Sequence, residues 1–173
     1  MRKVVYSVAM SLDGYVAGPN GEADWIVMDP EIDFMGMMAR FDAILMGRRT
    51  FEAAQKQGGG GAMPGITSVV VSRTLRPADH PGVTVIGDDV AGGVGRLREK
   101  PGKDIWLFGG GSLFRSLLDL GLVDTIEVAV VPVLLGGGVP FLPTRSQRSS
   151  LRLVNSKTYK TTGTVSLEYA VVR

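Results

Sequence analysis

Ile105-Trp106-Leu107-Phe108-Gly109-Gly110-Gly111-Ser112-Leu113-Phe114 carries an apolar, strand-like run through three glycines and directly into a helix-like one. Glycine lets the backbone approach a ligand closely, and the free N–H groups at a helix start bind an anion such as a pyrophosphate. The same residues also make a tight strand-to-helix turn that binds nothing. The spacing is not the dinucleotide fingerprint G-x-G-x-x-G, whose third glycine would fall on Phe114, and no G-K-[ST] loop for a nucleoside triphosphate occurs.

The pattern recurs twice earlier in the chain. Ala43-Ile44-Leu45-Met46-Gly47-Arg48-Arg49-Thr50-Phe51 is again strand, glycine and helix start, now with two arginines and a hydroxyl. Arginines at a helix N-terminus oppose the helix dipole, so they serve stability poorly and a phosphate well. Val69-Val70-Val71-Ser72-Arg73-Thr74 puts a further hydroxyl and guanidinium at the end of a third strand. Three such strand ends point to one extended dinucleotide site along the carboxyl edge of a sheet. Each arginine taken singly also reads as a solvated surface charge.

Runs rich in valine and isoleucine at residues 3–9, 42–47, 66–72, 83–87, 104–108 and 123–134 alternate with segments of helical period. That alternation predicts an α/β sheet covered on both faces. A first helix is expected after Asp29, with Pro30 at its first position and Ile32, Met35, Met38 and Phe41 toward the sheet. Others are expected near Arg48, near Asp89 with Val90, Val94 and Leu97 inward, and at Ser112 with Leu113, Leu117 and Leu118 inward, stopped by Gly121. Leu151 to Lys160 and Gly163 to Val172 alternate and are joined by Thr161-Thr162-Gly163, an antiparallel hairpin on an otherwise parallel sheet. Gln55 to Gly65, with glycines at 58 to 61, reads as a surface connector, with a lid over a site as the alternative.

Bulk composition narrows the chemistry. The 173 residues fit one domain (1–173), and 45% hydrophobic with 21% charged residues is ordinary globular composition. The net charge of +2 comes from 19 basic and 17 acidic residues with no block of one sign, so no nucleic-acid partner is expected. The absence of cysteine excludes disulfides, thiolate metal sites and cysteine nucleophiles, and no metal is expected. The single histidine, His80, lies in Arg76-Pro77-Ala78-Asp79-His80-Pro81-Gly82, which reads as an exposed turn rather than part of a triad. Met1 to Met10 imitates a signal peptide, but Ser11-Leu12-Asp13-Gly14 ends the run without a cleavage pattern. A buried first strand, no membrane span and a cytoplasmic location follow as expectations.

Taken together, Ser11-Leu12-Asp13-Gly14-Tyr15-Val16-Ala17, Met46-Gly47-Arg48-Arg49-Thr50-Phe51, Ser72-Arg73 and the triple glycine occur in an order that resembles the dihydrofolate reductase superfamily. The closer resemblance is to the branch containing the reductase domain of riboflavin biosynthesis. Gly121-Leu122-Val123-Asp124 and Val131-Pro132-Val133-Leu134-Leu135-Gly136 extend it over nearly the whole chain.

The resemblance implies a three-layer α/β/α fold with a mixed, mainly parallel sheet, and NADPH as cofactor. Arg48, Arg49, Thr50, Ser72 and Arg73 would lie near its 2′-phosphate and pyrophosphate, with Gly47 in the same element. Gly109, Gly110, Gly111, Ser112 and Leu113 would lie beneath the pyrophosphate, and Ala9, Val16 and Ala17 would line the nicotinamide. It further implies hydride transfer to a planar heterocycle such as a pterin or pyrimidine, stacked near Trp25, Glu31 and Met35. Glu31, sixteen residues ahead of Gly47, has the offset of the family's catalytic carboxylate, with Asp33 and Asp13 as alternatives. In the bland reading, Glu31 is a first-turn glutamate, Asp13-Gly14 a turn and Trp25 a core aromatic. A homodimer through the terminal strands is expected, with Val128 to Leu135 as its apolar surface. The rival outcomes are a nucleotide-binding module that holds NADPH without turnover, and an unrelated α/β fold whose glycines are mere turns.

Overall fold

The computed structural model describes residues 1–56, 58, 64–145 and 147–173. The β-branched runs form strands β1 (Val4–Ser11), β3 (Phe41–Gly47), β4 (Thr67–Val71), β5 (Val83–Ile86), β6 (Asp104–Gly109) and β7 (Thr125–Val131). The alternating tail forms β9 (Leu151–Tyr159) and β10 (Thr164–Val171). These eight lie side by side in the order β5-β4-β3-β6-β1-β7-β10-β9. β5 through β7 pair in parallel, and β10 and β9 join antiparallel. Two short strands that the sequence does not announce, β2 (Tyr15–Ala17) and β8 (Val139–Pro140), pair separately beside the end of β1.

The period of two divides the core. Val4, Tyr6, Leu45, Val69, Ile105 and Leu107 face α3 (Val90–Glu99) and α4 (Gly111–Asp119). Their alternates Val5, Ile44, Met46, Val70 and Trp106 face α1 (Phe34–Met38) and α2 (Arg48–Lys56). Helices lie on both faces, but the cover is partial: β9 is exposed along nearly its whole length. At the amino edge Asp124 accepts from Arg98 at 2.9 Å, from the Val4 amide at 2.9 Å and from Arg173 at 2.7 Å, fastening the two chain ends to the sheet.

The expected second, third and fourth helices begin within a residue of the positions expected for them, at Arg48, Val90 and Gly111. Asp89 accepts from the Gly92 amide at 2.8 Å, and Gly121 closes α4 with φ +67°. The first helix does not begin at Pro30. It starts at Phe34 because Asp33, which accepts from Gly36 at 2.8 Å, is the residue that caps it, while Asp29 is drawn away to a partner on the hairpin. Only Met38 of the expected methionine stripe is buried, Met35 is 76% exposed, and Phe41 belongs to β3. His80 ends a short 3₁₀ turn and is half-buried rather than exposed, its ring edge-on to Phe51 at 5.3 Å. Gly59 to Gly61, the heart of the expected connector, lie outside the described residues.

Candidate cofactor and substrate site

All six parallel strands end on one edge, and helices leave that edge toward opposite faces: α2 after β3, α4 after β6. An open α/β sheet presents its crevice where such connections diverge. Gly47 and Gly109–Gly110 end the adjacent strands β3 and β6 so closely that a Cβ at Gly47 would stand 4.0 Å from the Gly109 carbonyl oxygen and the Gly110 nitrogen. A Cβ at Gly110 would meet Thr50 Oγ1 at 3.4 Å, so the two predicted elements form one bare cradle. The Gly109–Gly110 peptide is cis. Gly110 caps α4, and the first-turn amides of Gly111, Ser112 and Leu113 have no acceptor within the helix.

Around this cradle, Arg48 and Arg49 open α2 at the surface, where Arg48 pairs with Glu52 at 3.1 Å. Arg49 and Arg73 are exposed and, among the described residues, have no ion pair. Ser72 is buried; its Oγ accepts from the amides of Thr74 (3.2 Å) and Leu75 (2.9 Å) and thereby turns the chain so that Arg73 projects. A cavity of about 340 Å³ opens between Val71, Ser72, Arg73, Gly87, Asp88 and Val90. Gly87 and Asp88 were missed from sequence, although they repeat the strand-then-glycine signal after β5. Bare glycines, free helix-start amides and unpaired guanidiniums are the donor set that a phosphorylated dinucleotide needs, so NADPH fits the residues present.

The loop from β1 to β2 is held by Asp13. Its carboxylate accepts from Ser11 Oγ at 2.7 Å and from the amides of Leu135 (3.1 Å) and Gly136 (2.7 Å). The Ser11 hydroxyl chiefly, aided by those amides and opposed by desolvation, keeps Asp13 below the usual carboxylate range. A carboxylate so supplied with donors is a clamp on the 133–136 segment and a poor source of protons. Val16 and Ala17 lie half-buried in β2, and Ala9 half-buried on β1.

A second tie crosses the α1 face. Asp29 is 0% exposed, accepts from the Glu31 amide at 3.0 Å, and takes both the N–H (3.0 Å) and the O–H (2.9 Å) of Thr162 in the hairpin turn. Burial pushes its carboxyl up, but these donors and the charge of Lys157 prevail and leave it below the usual range. The tie fixes Asp29 to the turn between β9 and β10. Trp25, half-buried, donates to the Glu22 carbonyl at 3.1 Å, while Glu31 is exposed in the turn before α1 rather than in its first turn. The offset that selects Glu31 therefore does not bury its carboxylate.

Strand register aligns further side chains in rows across the sheet. Ala9, Ala129, Ser166 and Lys157 stand abreast on β1, β7, β10 and β9, and Ser7, Glu127, Glu168 and Asn155 form the next row. Arg40 forks onto Glu127 at 2.8 and 2.9 Å, and Lys157 lies over the Tyr159 ring at 4.5 Å. Phe108 shares this face with Trp106, edge-on at 4.9 Å, and is 38% exposed at the strand end beside the glycine cradle. Sequence reasoning did not single out Thr162 or the Glu127–Glu168 row, whose neighbours are distant along the chain, nor Phe108, whose ring partner Trp106 is two residues away.

The layers, strand order and antiparallel tail define a fold of the dihydrofolate reductase type. The dihydrofolate reductase of Enterococcus faecalis superposes with a TM-score of 0.68 at 16% identity, covering 99% of this chain and 97% of that one. Within that class the chain belongs to the RibD C-terminal domain family, whose model matches residues 2–165. It is 35% identical over 179 residues to the uncharacterized protein YyaP of Bacillus subtilis (strain 168), covering 97% of this chain and 94% of that protein. A putative riboflavin biosynthesis protein from Shewanella sp. PV-4 matches with a TM-score of 0.84 and 26% identity over the full length of both chains. Among the described residues no helix is long and apolar enough to cross a membrane.

Proposed function

We propose that the chain is a cytoplasmic, single-domain NADPH-dependent reductase that passes hydride to a small planar heterocycle, a pterin, a pyrimidine or a related ring. The observation that carries this reading is the convergence of the Gly47, Ser72 and Gly109 strand ends, with Arg48, Arg49 and Arg73, on one carboxyl edge. The Enterococcus faecalis protein is a complex with NADP(H), which supports the same cofactor here.

Arg48, Arg49, Thr50, Ser72 and Arg73 would hold the 2′-phosphate and pyrophosphate, with the amides of Gly109 to Leu113 beneath. Ala9, Val16 and Ala17 would line the nicotinamide, which supplies the hydride when bound. Trp25 and Met35 would close over the acceptor ring, and Glu31, once its loop folds inward, would deliver a proton to it. The contribution of the chain is orientation, exclusion of water and one acid.

The exposure of Glu31 favours a second reading, a module that holds NADPH without turnover. NADPH oxidation by a set of pterins and pyrimidines decides between them: the reductase reading expects turnover that falls at least about tenfold in Glu31→Gln, and the module expects none. A homodimer fits the exposed apolar residues Leu151, Leu153 and Val154 on the free edge of β9 better than Val128 to Leu135, because Val128 and Val131 are buried in the sheet. Light scattering of the purified chain reads its mass directly.

A further inference from the structure

We infer that Asp88 reads the base of the dinucleotide: its carboxylate accepts a hydrogen bond from the exocyclic amino group of adenine, so the site prefers adenine to hypoxanthine. The inference rests on the NADPH reading and adds to it a base-recognising residue after β5.

Strand order sets the position. β5, β4, β3 and β6 are successive neighbours, with the glycine cradle at the ends of β3 and β6 and the cavity of about 340 Å³ at the ends of β4 and β5. The two lie two strand spacings apart, about 10 Å. A ribose and base cover that stretch when the pyrophosphate rests on the cradle. Val71 and Ile86 are register partners, and the Ser72 amide donates to the Ile86 carbonyl at 2.9 Å, so Ser72-Arg73 and Gly87-Asp88 leave the sheet side by side.

The lining combines three kinds of surface. Val71 and Val90, both half-buried, give it apolar area, Arg73 a cation and Asp88 an anion. No ion pair joins Arg73 to Asp88, and among the described residues neither pairs with any other group. The adjacent Asp89 makes the contrast: it caps α3 through the Gly92 amide at 2.8 Å and pairs with Arg96 at 3.3 Å. Asp89 thus carries the structural role at this helix start, and the exposed Asp88 carboxylate is left without a partner of its own.

Opposite charges that line one cavity and stay unpaired suit a ligand with an anion at one point and a hydrogen-bond donor at another. A 2′-phosphoadenosine unit offers its 3′-hydroxyl and its exocyclic amino group as donors. The hydroxyl adjoins the phosphate, whose charge repels a carboxylate brought that close. The amino group lies at the far end of the nucleoside and meets Asp88 without that cost, while Arg73 takes the phosphate. In hypoxanthine an acceptor oxygen replaces the amino group and faces the carboxylate lone pairs, and a site built for a donor discriminates against that exchange.

The test is isothermal titration of the full chain with NADPH and with reduced nicotinamide hypoxanthine dinucleotide phosphate. The expected result is that NADPH binds at least about fivefold more tightly. Asp88→Ala should shrink the gap below about twofold by weakening NADPH, and Asp88→Asn should shrink it by strengthening the hypoxanthine compound, because the amide turns a donor toward its oxygen. Arg73→Ala should weaken both compounds alike and leave the gap in place. Equal binding of the two by the unaltered chain, or a gap that survives Asp88→Ala, overturns the inference. So does NADH binding more tightly than NADPH with that preference lost in Asp88→Ala, which would put the carboxylate on the ribose 2′-hydroxyl. Binding of neither dinucleotide overturns the NADPH reading itself and the inference with it, whereas binding of both without preference overturns the inference alone.

Discussion

The carboxylate of Asp29, sealed from solvent, accepts both the N–H and the O–H of Thr162, 133 residues further along the chain. One side chain thereby ties the segment before α1 to the terminal hairpin. Thr162→Val removes the O–H donor and keeps the N–H, and should cost about 1 kcal/mol in chemical denaturation. The loss should be accompanied by faster amide exchange in residues 24–33.

The same tie predicts a pH dependence. The folded-state titration of Asp29 lies below its ordinary range, so its contribution to stability is complete above that range and is lost as pH falls through the folded value. Thermal melts from neutral to acid pH should show a falling midpoint whose slope is shallower in Asp29→Asn, although the variant starts from a lower midpoint at neutral pH.

Gly138 has φ +143°, and a Cβ there would lie 2.2 Å from the Ala17 carbonyl oxygen. Because the obstacle is backbone, Gly138→Ala must part β2 from β8. We expect a loss of about 2–3 kcal/mol in denaturant titration, with weaker NADPH binding because Ala17 shifts.

Arg40 offsets the Glu127–Glu168 opposition, and Glu127 is the main reason the guanidinium is held more firmly protonated than usual. Since Arg40 is partly exposed, screening keeps the effect modest: Arg40→Ala should cost about 1 kcal/mol, and clearly less in a Glu168→Gln background. A double-mutant cycle by denaturation measures the difference.

Legibility from sequence followed the range of the interaction. Strands β3, β4 and β6 and helices α2, α3 and α4 could be read to within a residue or two because glycine, cap and period all lie within ten residues. The cradle at Gly47 and Gly109 was legible for the same reason. The first helix was misread because Asp29 looks like a cap locally, and only the folded hairpin supplies its competing partner, Thr162. The β2–β8 pair and the facing glutamates depend on register between strands far apart in the chain, and no local pattern encodes that register.

On the proposed placement of the 2′-phosphate against Arg73, which is exposed without an ion pair, removing that arginine should lower NADPH affinity by about tenfold and NADH affinity by no more than about twofold. Arg48→Ala should do less, since Glu52 already shares its charge. Neither change should move folding stability by more than about 0.5 kcal/mol. Isothermal titration and thermal melts check both points.

The most direct test of the account is a titration of the purified chain with NADPH and NADH, followed by nicotinamide fluorescence at low and high salt. The account predicts NADPH binding on the order of micromolar, NADH at least about tenfold weaker, and a gap that shrinks as salt screens the arginines. Binding of neither cofactor, or equal binding of both with no effect of salt or of Arg73→Ala, would contradict it.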